Sequence, residues 1–343
     1  MKRILAIICT LALTLALTAC GSTPADTASN DGPKSVKISM SVPQGHESYI
    51  RVQEFAEKVN ADCDNAFDFQ IYGSDSLGDW TLVSEELARG NVEMLVSSFE
   101  ANNPMADFVF APYLADNAED VRVRFAEDSF IYNTISGIYK DAGVEFLGFE
   151  YIGMCGLSFG SKGAPAHPAE LGGGEGKLIR IAGEDHIRLL MQGMGYNPST
   201  VPWGDVYTSV QTVVIDGFNG AVASVAYQQF RDVISAFVDA KIMAEVQPIC
   251  VSSKFWNTLT EEQQASFRTH AAELFNESID QTEASESEYL DKLEEHGITV
   301  IRPSEAEIKA LSDYTRTECW PCLEELMGTE LYHGLLDSYN IAY

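Results

Sequence analysis

The chain predicts an α/β protein of two lobes with a ligand cleft between them, and three observations carry that expectation. Residues 36–96 read strand–helix–strand–helix–strand, residues 178–201 repeat strand–helix–strand, and no segment after the first twenty residues has the apolar length of a membrane span. Val36 to Val42 (VKISMSV) alternates and is rich in β-branched residues, which suits a strand. Tyr49, Val52, Phe55, Ala56 and Val59 recur at helical spacing after a turn at Gly45 and His46. Phe67 to Tyr72 reads as a second strand, Trp80 to Arg89 as a helix and Val92 to Val96 as a third strand, an order that implies right-handed crossovers and a mainly parallel sheet.

Residues 102–117 mix breakers with aromatics, Phe108 and Tyr113 among them, and read as an ordered loop against a cleft. A helix follows over 120–141, and Val144 to Gly160 is extended for long enough to pass from one lobe to the other. The glycines at 172, 173, 174 and 176 are not a phosphate loop, because Lys177 is followed by Leu178 and a strand rather than by a hydroxyl and a helix. Leu178 to Ala182, His186 to Met194 and Ser199 to Val201 form the second repeat, and a short helix from Asp205 to Val213 leads to Val214–Phe218. Lys241 to Ser252 is extended, with Pro248 arguing for an edge or a bend. Thr260 with Gln263 and Ser304 with Glu307 are capping boxes, the first opening a helix to about Glu295 and the second a helix to about Leu326. The expected organisation is a leader at 1–19, a tether at 20–35, one lobe at 36–154 with a returning segment over 221–253, a second lobe built on 155–220, and C-terminal helices over 254–343 that span both.

Lys2 and Arg3 precede an apolar run from Ile4 to Ala19, the layout of a secretory signal. Its end, Leu17-Thr18-Ala19-Cys20, resembles the lipobox of bacterial lipoproteins, which implies Cys20 as a lipidated N-terminus holding the protein outside the cytoplasm, in the periplasm or on the outer face of the cytoplasmic membrane. Residues 21–35 (GSTPADTASNDGPKS) bury too little apolar surface to order themselves and read as a flexible tether. With 51 Asp and Glu against 22 Lys and Arg, the formal charge is −29. Such a field repels phosphate backbones, so nucleic acid is excluded as a partner, and a small anion must be won by local basic groups.

Beyond Cys9 and Cys20 five cysteines remain, which is not a disulfide framework. Cys319 and Cys322 are close enough for a local disulfide; inert thiols or a redox pair are the other readings, and the surrounding helical pattern disfavours the last. The six histidines are scattered, with no close metal-ligand pair, and Ser158 in GLSFG is not a nucleophile elbow. No catalytic constellation, metal or cofactor is therefore expected. Arg180 stands among apolar residues in LIRIAG, where a buried charge needs a partner. Its fork either clasps a ligand carboxylate at a strand end or forms a structural ion pair. Trp203, Tyr207 and Phe218 are candidate aromatic walls or core, and Asn219 and Gln228 are candidate hydrogen-bonding groups.

Three stretches carry a family resemblance. Ile71 to Ser98 is similar to an "LG…E…G…DM" region, Pro168 to Gly183 to "P-x-D-L-x-G-x-K-I-R", and Val201 to Gly220 to "P-x-x-E-V-Y-x-A-L-Q-x-G-V-V-D-G", with Tyr207, Gln211, Asp216 and Gly217 in order; Lys254 to Phe267 adds weaker support. Over about 36–336 the chain resembles the DctP-type solute-binding proteins of tripartite ATP-independent periplasmic (TRAP) transporters. The resemblance implies a two-lobe periplasmic-binding-protein-like fold with crossing strands and a long spanning helix, closing on a small organic acid and delivering it to the membrane subunits of an ion-coupled permease. It implies Arg180 as the carboxylate clasp. The family's second arginine falls near Ser158, and its Glu-Asn corresponds to Asn219-Gly220, so one arginine plus neutral donors suits a monocarboxylate with an apolar or aromatic body better than a short dicarboxylate. A receptor that feeds a membrane sensor, and a surface thiol oxidoreductase using Cys319 and Cys322, are the alternatives.

Overall fold

The computed structural model describes residues 32–100 and 103–342; the leader, Cys20 and most of the tether lie outside the described residues. From Lys34 the chain runs β1 (Lys34–Met40), α1 (Glu47–Asp62), β2 (Phe67–Tyr72), α2 (Trp80–Arg89) and β3 (Met94–Val96). A 3₁₀ segment at Pro104–Phe110 precedes α3 (Ala118–Arg124), α4 (Phe130–Asp141) and the long strand β4 (Val144–Phe159). The second lobe is built from β5 (Leu178–Ile181), α5 (Asp185–Gly193), β6 (Asn197–Thr200), α6 (Trp203–Gln211) and β7 (Gly217–Ala221). The chain then returns through β8 (Ala236–Ser252), followed by α7 (Glu261–Glu295), β9 (Thr299–Ile301), α8 (Glu305–Tyr314) and shorter helices.

The two-lobe α/β architecture is as expected, but the sheet is mixed. The described strands order as β2-β1-β3-β8-β4-β7-β5-β6, with β9 on β8. Pairing is parallel within each repeat, β1 with β2 and β3, β5 with β6 and β7. It is antiparallel where β4 and β8 run against each other and against β3 and β7. Two strands that carry the chain out and back between lobes must oppose one another, which period-two patterning does not reveal. Register shifts along β4 fall at Phe146/Gly148, Tyr151/Gly153 and Cys155/Leu157. Gly153 has φ +136, and a Cβ there would stand 3.0 Å from Val222, so the bend depends on its missing side chain.

Two hydrophobic clusters fill the half carrying β1–β3 and two fill the half carrying β5–β7. In the first half, Tyr139, Phe146 and Phe149 meet edge to face with centroids 4.7–5.6 Å apart, geometry worth about 0.5–1.5 kcal/mol per pair beyond burial. Helix α7 opens on the expected capping box at Thr260 and Gln263. Phe267 and Leu274 enter a cluster with β1 and β3, while Tyr289, Leu290 and Leu293 enter one with Val206 and Phe218. One helix thus spans both halves.

Several local expectations are corrected. The helix expected over 120–141 is broken between α3 and α4, where Asp128 takes φ +67 and Ser129 caps a new N-terminus by accepting from the Tyr132 amide. The helix expected to run to Leu326 ends at Tyr314 and passes through a π-turn at Thr315–Cys319 before Pro321. Pro248 lies in a central strand, not an edge, one residue beyond the last β3 pair (Val96–Ile249), where β4 alone flanks it. Cys319 and Cys322 are free thiols, so the local disulfide is not formed. Cys319 is committed to the core beside Leu311 and Met191, and burial pushes its thiol to about 12 and that of Cys322 to about 11, the wrong direction for redox exchange.

Candidate functional site

The carboxyl ends of the parallel strands of both halves converge on a cleft. Ser41 and Val42 follow β1, Ser97 and Phe99 follow β3, and Ala182 and Glu184 follow β5 along its walls, with a cavity volume of about 150 Å³. Ligands in open α/β sheets collect at such ends because loops there converge while the strands stay rigid.

Arg180 sits one residue from the end of β5, opposite Ser199 of β6 and Phe218 of β7. Ile179 and Ile181, fully buried, take the other face of the strand, so alternation turns the guanidinium away from the core they fill. The side chain is only 5 % exposed. Its Nε donates to the Val201 carbonyl at 2.7 Å and its Nη1 to the Asn219 carbonyl at 3.3 Å. Neither acceptor is charged, and no carboxylate lies within ion-pair distance among the described residues. Burial lowers the guanidinium to about 10, opposed by Glu184 and Glu245, so it stays cationic at neutral pH. Gly220, at φ +111, holds a backbone conformation that a side chain would strain, although a Cβ there would make only ordinary contacts, 3.5 Å from Arg180 Nη1 and 3.8 Å from Trp203.

Trp203 opens α6 and presents its ring 5.3 Å from the guanidinium carbon, within cation–π range. Phe230 and Phe218 brace it from behind at 5.3 and 6.1 Å. Of the residues singled out in the sequence, Arg180, Trp203 and Asn219 line the cleft together. The others do not line it. Phe218 is fully buried behind Trp203, and Tyr207 packs toward Phe230. Ser158 is fully buried in β4, paired with Phe218 of β7 and Phe237 of β8, and does not line the cleft. Gln228 donates to the Tyr289 hydroxyl at 3.0 Å, and its neighbour Gln229 lines the cleft instead. Phe108 and Tyr113 are core, the Tyr113 hydroxyl donating to the Ala240 carbonyl, while Phe99 and Phe110 form the aromatic wall on that side.

Sequence reasoning missed Glu245 and Gln247. With Met243 they occupy alternate positions of β8 and face the cleft, and that period-two run (Met-x-Glu-x-Gln) within an apolar strand was the available signal. Burial, then Glu184 nearby, pushes the Glu245 carboxyl up to about 7. The thiol of Cys155 donates to Glu245 Oε2 at 3.3 Å, and Gln247 Nε2 donates to its other oxygen.

Residues 38–319 match the family described as "Bacterial extracellular solute-binding protein, family 7", DctP. The chain belongs to this family. It is 22 % identical over 301 residues, 85 % of this chain and 86 % of the other, to the C4-dicarboxylate-binding periplasmic protein DctP of Vibrio cholerae serotype O1. It is also 22 % identical over 280 residues to the ectoine-binding periplasmic protein TeaA of Halomonas elongata, covering 78 % and 80 % of the two chains. The fold is that of a TRAP periplasmic solute-binding protein from Desulfovibrio salexigens solved with bound orotic acid: TM-score 0.78 at 17 % identity, with 89 % of this chain and 98 % of that one covered. Family membership makes the chain a binding protein rather than an enzyme.

Proposed function

We propose that this DctP-family protein is an extracytoplasmic receptor that captures a small organic acid through Arg180 and hands it to the membrane subunits of an ion-coupled TRAP permease. The observation that carries the reading is a buried guanidinium, lining the inter-lobe cleft, whose only hydrogen-bond partners among the described residues are two neutral carbonyls. The acids named for the Vibrio relative and bound in the Desulfovibrio structure point the same way. With Arg180 the one cation lining the cleft among the described residues, the ligand carries one carboxylate, and the Trp203, Phe99 and Phe110 walls suit an apolar or aromatic body.

Binding needs no covalent step. The acid enters between open lobes, Arg180 fixes its carboxylate, and closure brings the aromatic walls over it. As water leaves, a pair at 4 Å grows from about 1 kcal/mol in water to about 4 at an effective dielectric of 20, less the cost of desolvation. The closed form presents the permease with a surface that exists only when loaded. Cys20, lipidated after removal of residues 1–19, holds the receptor at the membrane.

Native mass spectrometry of gently purified protein, followed by calorimetric titration of the emptied protein with the acid identified, tests the reading. A co-purified carboxylate that rebinds is expected; a neutral sugar, or exclusive binding of short dicarboxylates, contradicts it. Cys20→Ala is expected to move the protein from the membrane fraction to the soluble fraction, and unchanged membrane association contradicts the anchor.

A further inference from the structure

Arg180 is outnumbered in its own cleft. Asp75, Asp107, Glu184 and Glu245 line the same cavity, so a ligand bringing only a carboxylate would gain one cation and meet four acids. None of the four has an ion-pair partner among the described residues, and the Glu245 oxygens are met by neutral donors, Gln247 and Cys155. Two neutral side chains supply a second, independent observation. Gln247 and Asn219 are 5 % and 3 % exposed, both line the cavity, and the buried oxygens Gln247 Oε1 and Asn219 Oδ1 accept no hydrogen bond. A buried acceptor left unfilled costs about 1–3 kcal/mol. The cleft therefore holds an excess of acceptors, which a ligand that brings donors would complement.

A metal ion would supply charge but not hydrogen bonds. Moreover, among the described residues no three histidine, cysteine or acidic side chains converge closely enough to hold one. The acids come from four separate segments around the cleft, which suits an organic cation of some breadth. We propose that the ligand is a zwitterion: its carboxylate lies on Arg180, and a nitrogen cation bearing N–H donors lies on the wall formed by Glu184, Glu245 and Asp107, filling Asn219 Oδ1 and Gln247 Oε1. The inference rests on the carboxylate-receptor reading and narrows its substrate class. It also accounts for the ionisation of the wall. Burial, then Glu184, pushes Asp107 and Glu245 up to about 7, and burial with Asp79 pushes Asp75 to about 6. A cation entering this wall expels protons from it, whereas an anion without one draws protons in.

The test compares two pools on the emptied full-length protein: the twenty protein amino acids, and their deamino counterparts with hydrogen in place of the α-amine (cyclopentanecarboxylate for proline). Thermal unfolding identifies the pool that stabilises, and calorimetry on its active member, in two buffers of different ionisation heat at pH 7, reads affinity and protons exchanged. At least one amino acid is expected to bind tenfold or more tightly than its deamino partner and to release protons. Glu184→Gln is expected to shrink that ratio, and Arg180→Ala to remove binding of both. Stabilisation by the deamino pool alone, or equal affinity within a pair, overturns the zwitterion and leaves the organic-acid receptor standing. Stabilisation by neither pool also overturns the zwitterion, and the organic-acid reading then stands or falls on the co-purified ligand.

Discussion

Two arginines are buried almost equally in this molecule, Arg51 at 3 % exposure and Arg180 at 5 %, in very different company. Arg51, on α1, donates through Nε to Glu150 Oε1 of β4 at 2.8 Å, and Ser48 fills the other carboxylate oxygen at 2.7 Å. Burial raises the Glu150 carboxyl, and Arg51 is the first of the groups that pull it back. That charge is neutralised inside the protein and ties a helix to a crossing strand. Arg180 meets two carbonyls and a tryptophan face, and among the described residues its charge has no carboxylate within ion-pair distance. Burial alone does not mark a functional cation; the two arginines differ in whether a carboxylate of the protein answers the charge.

The comparison is most sharply tested by removing each side chain. Arg51→Ala strands Glu150 without its cation, and breaking a buried pair in this way costs about 3–5 kcal/mol. Denaturant unfolding is expected to show that loss; a cost within about 1 kcal/mol would make the pair ornamental. Arg180→Ala strands no carboxylate of the protein, so the empty form is expected to unfold within about 1 kcal/mol of wild type while ligand affinity falls by about 2–5 kcal/mol. Calorimetry beside the same unfolding series separates the two, and a large stability loss with binding retained would assign Arg180 a structural role.

A smaller effect follows from the acids around Arg180. Because Glu245 and Asp107 titrate near 7 in the folded protein, above the ordinary carboxylate range, the folded state binds protons more readily than the unfolded one between about pH 4 and 7. Their contribution to stability is full below that window and is lost as pH rises through it. Glu245→Gln is expected to flatten this slope and to stabilise the empty protein at pH 8 by about 1–3 kcal/mol. Unfolding curves at pH 5 and pH 8 check it, and an unchanged slope would mean that Glu245 is ionised throughout. Least affected should be Gln228→Ala, which loses a hydrogen bond to Tyr289 on α7 and is expected to leave ligand affinity unchanged; a tenfold loss in a titration would return Gln228 to the cleft.

The cleft was only partly legible in the sequence, for geometric reasons. Arg180 stood out because a guanidinium between isoleucines is costly, and the Val201–Gly220 stretch brought Trp203 and Asn219 with it. Phe218 and Asn219 adjoin on β7, and strand alternation puts one behind the wall and the other on it; nothing in the residue types says which. Gln228 and Gln229 lie in a π-turn (Ala226–Phe230), where the extra residue per turn displaces the helical count. The acids were hidden by abundance: among 51 carboxylates, four that face a cavity carry no mark unless, as for Glu245, the strand around them is apolar. The fold was more legible because each repeat announces itself locally, whereas the antiparallel crossing of β4 and β8 joins segments about ninety residues apart.

The most direct measurement is a crystal structure of the protein with its co-purified ligand. The account requires a ligand carboxylate within hydrogen-bond distance of the Arg180 guanidinium, in the cleft lined by Trp203 and the four acids. A ligand seated in the cleft with Arg180 untouched, or with Arg180 swung onto Glu184 or Glu245 as an internal pair, would contradict it.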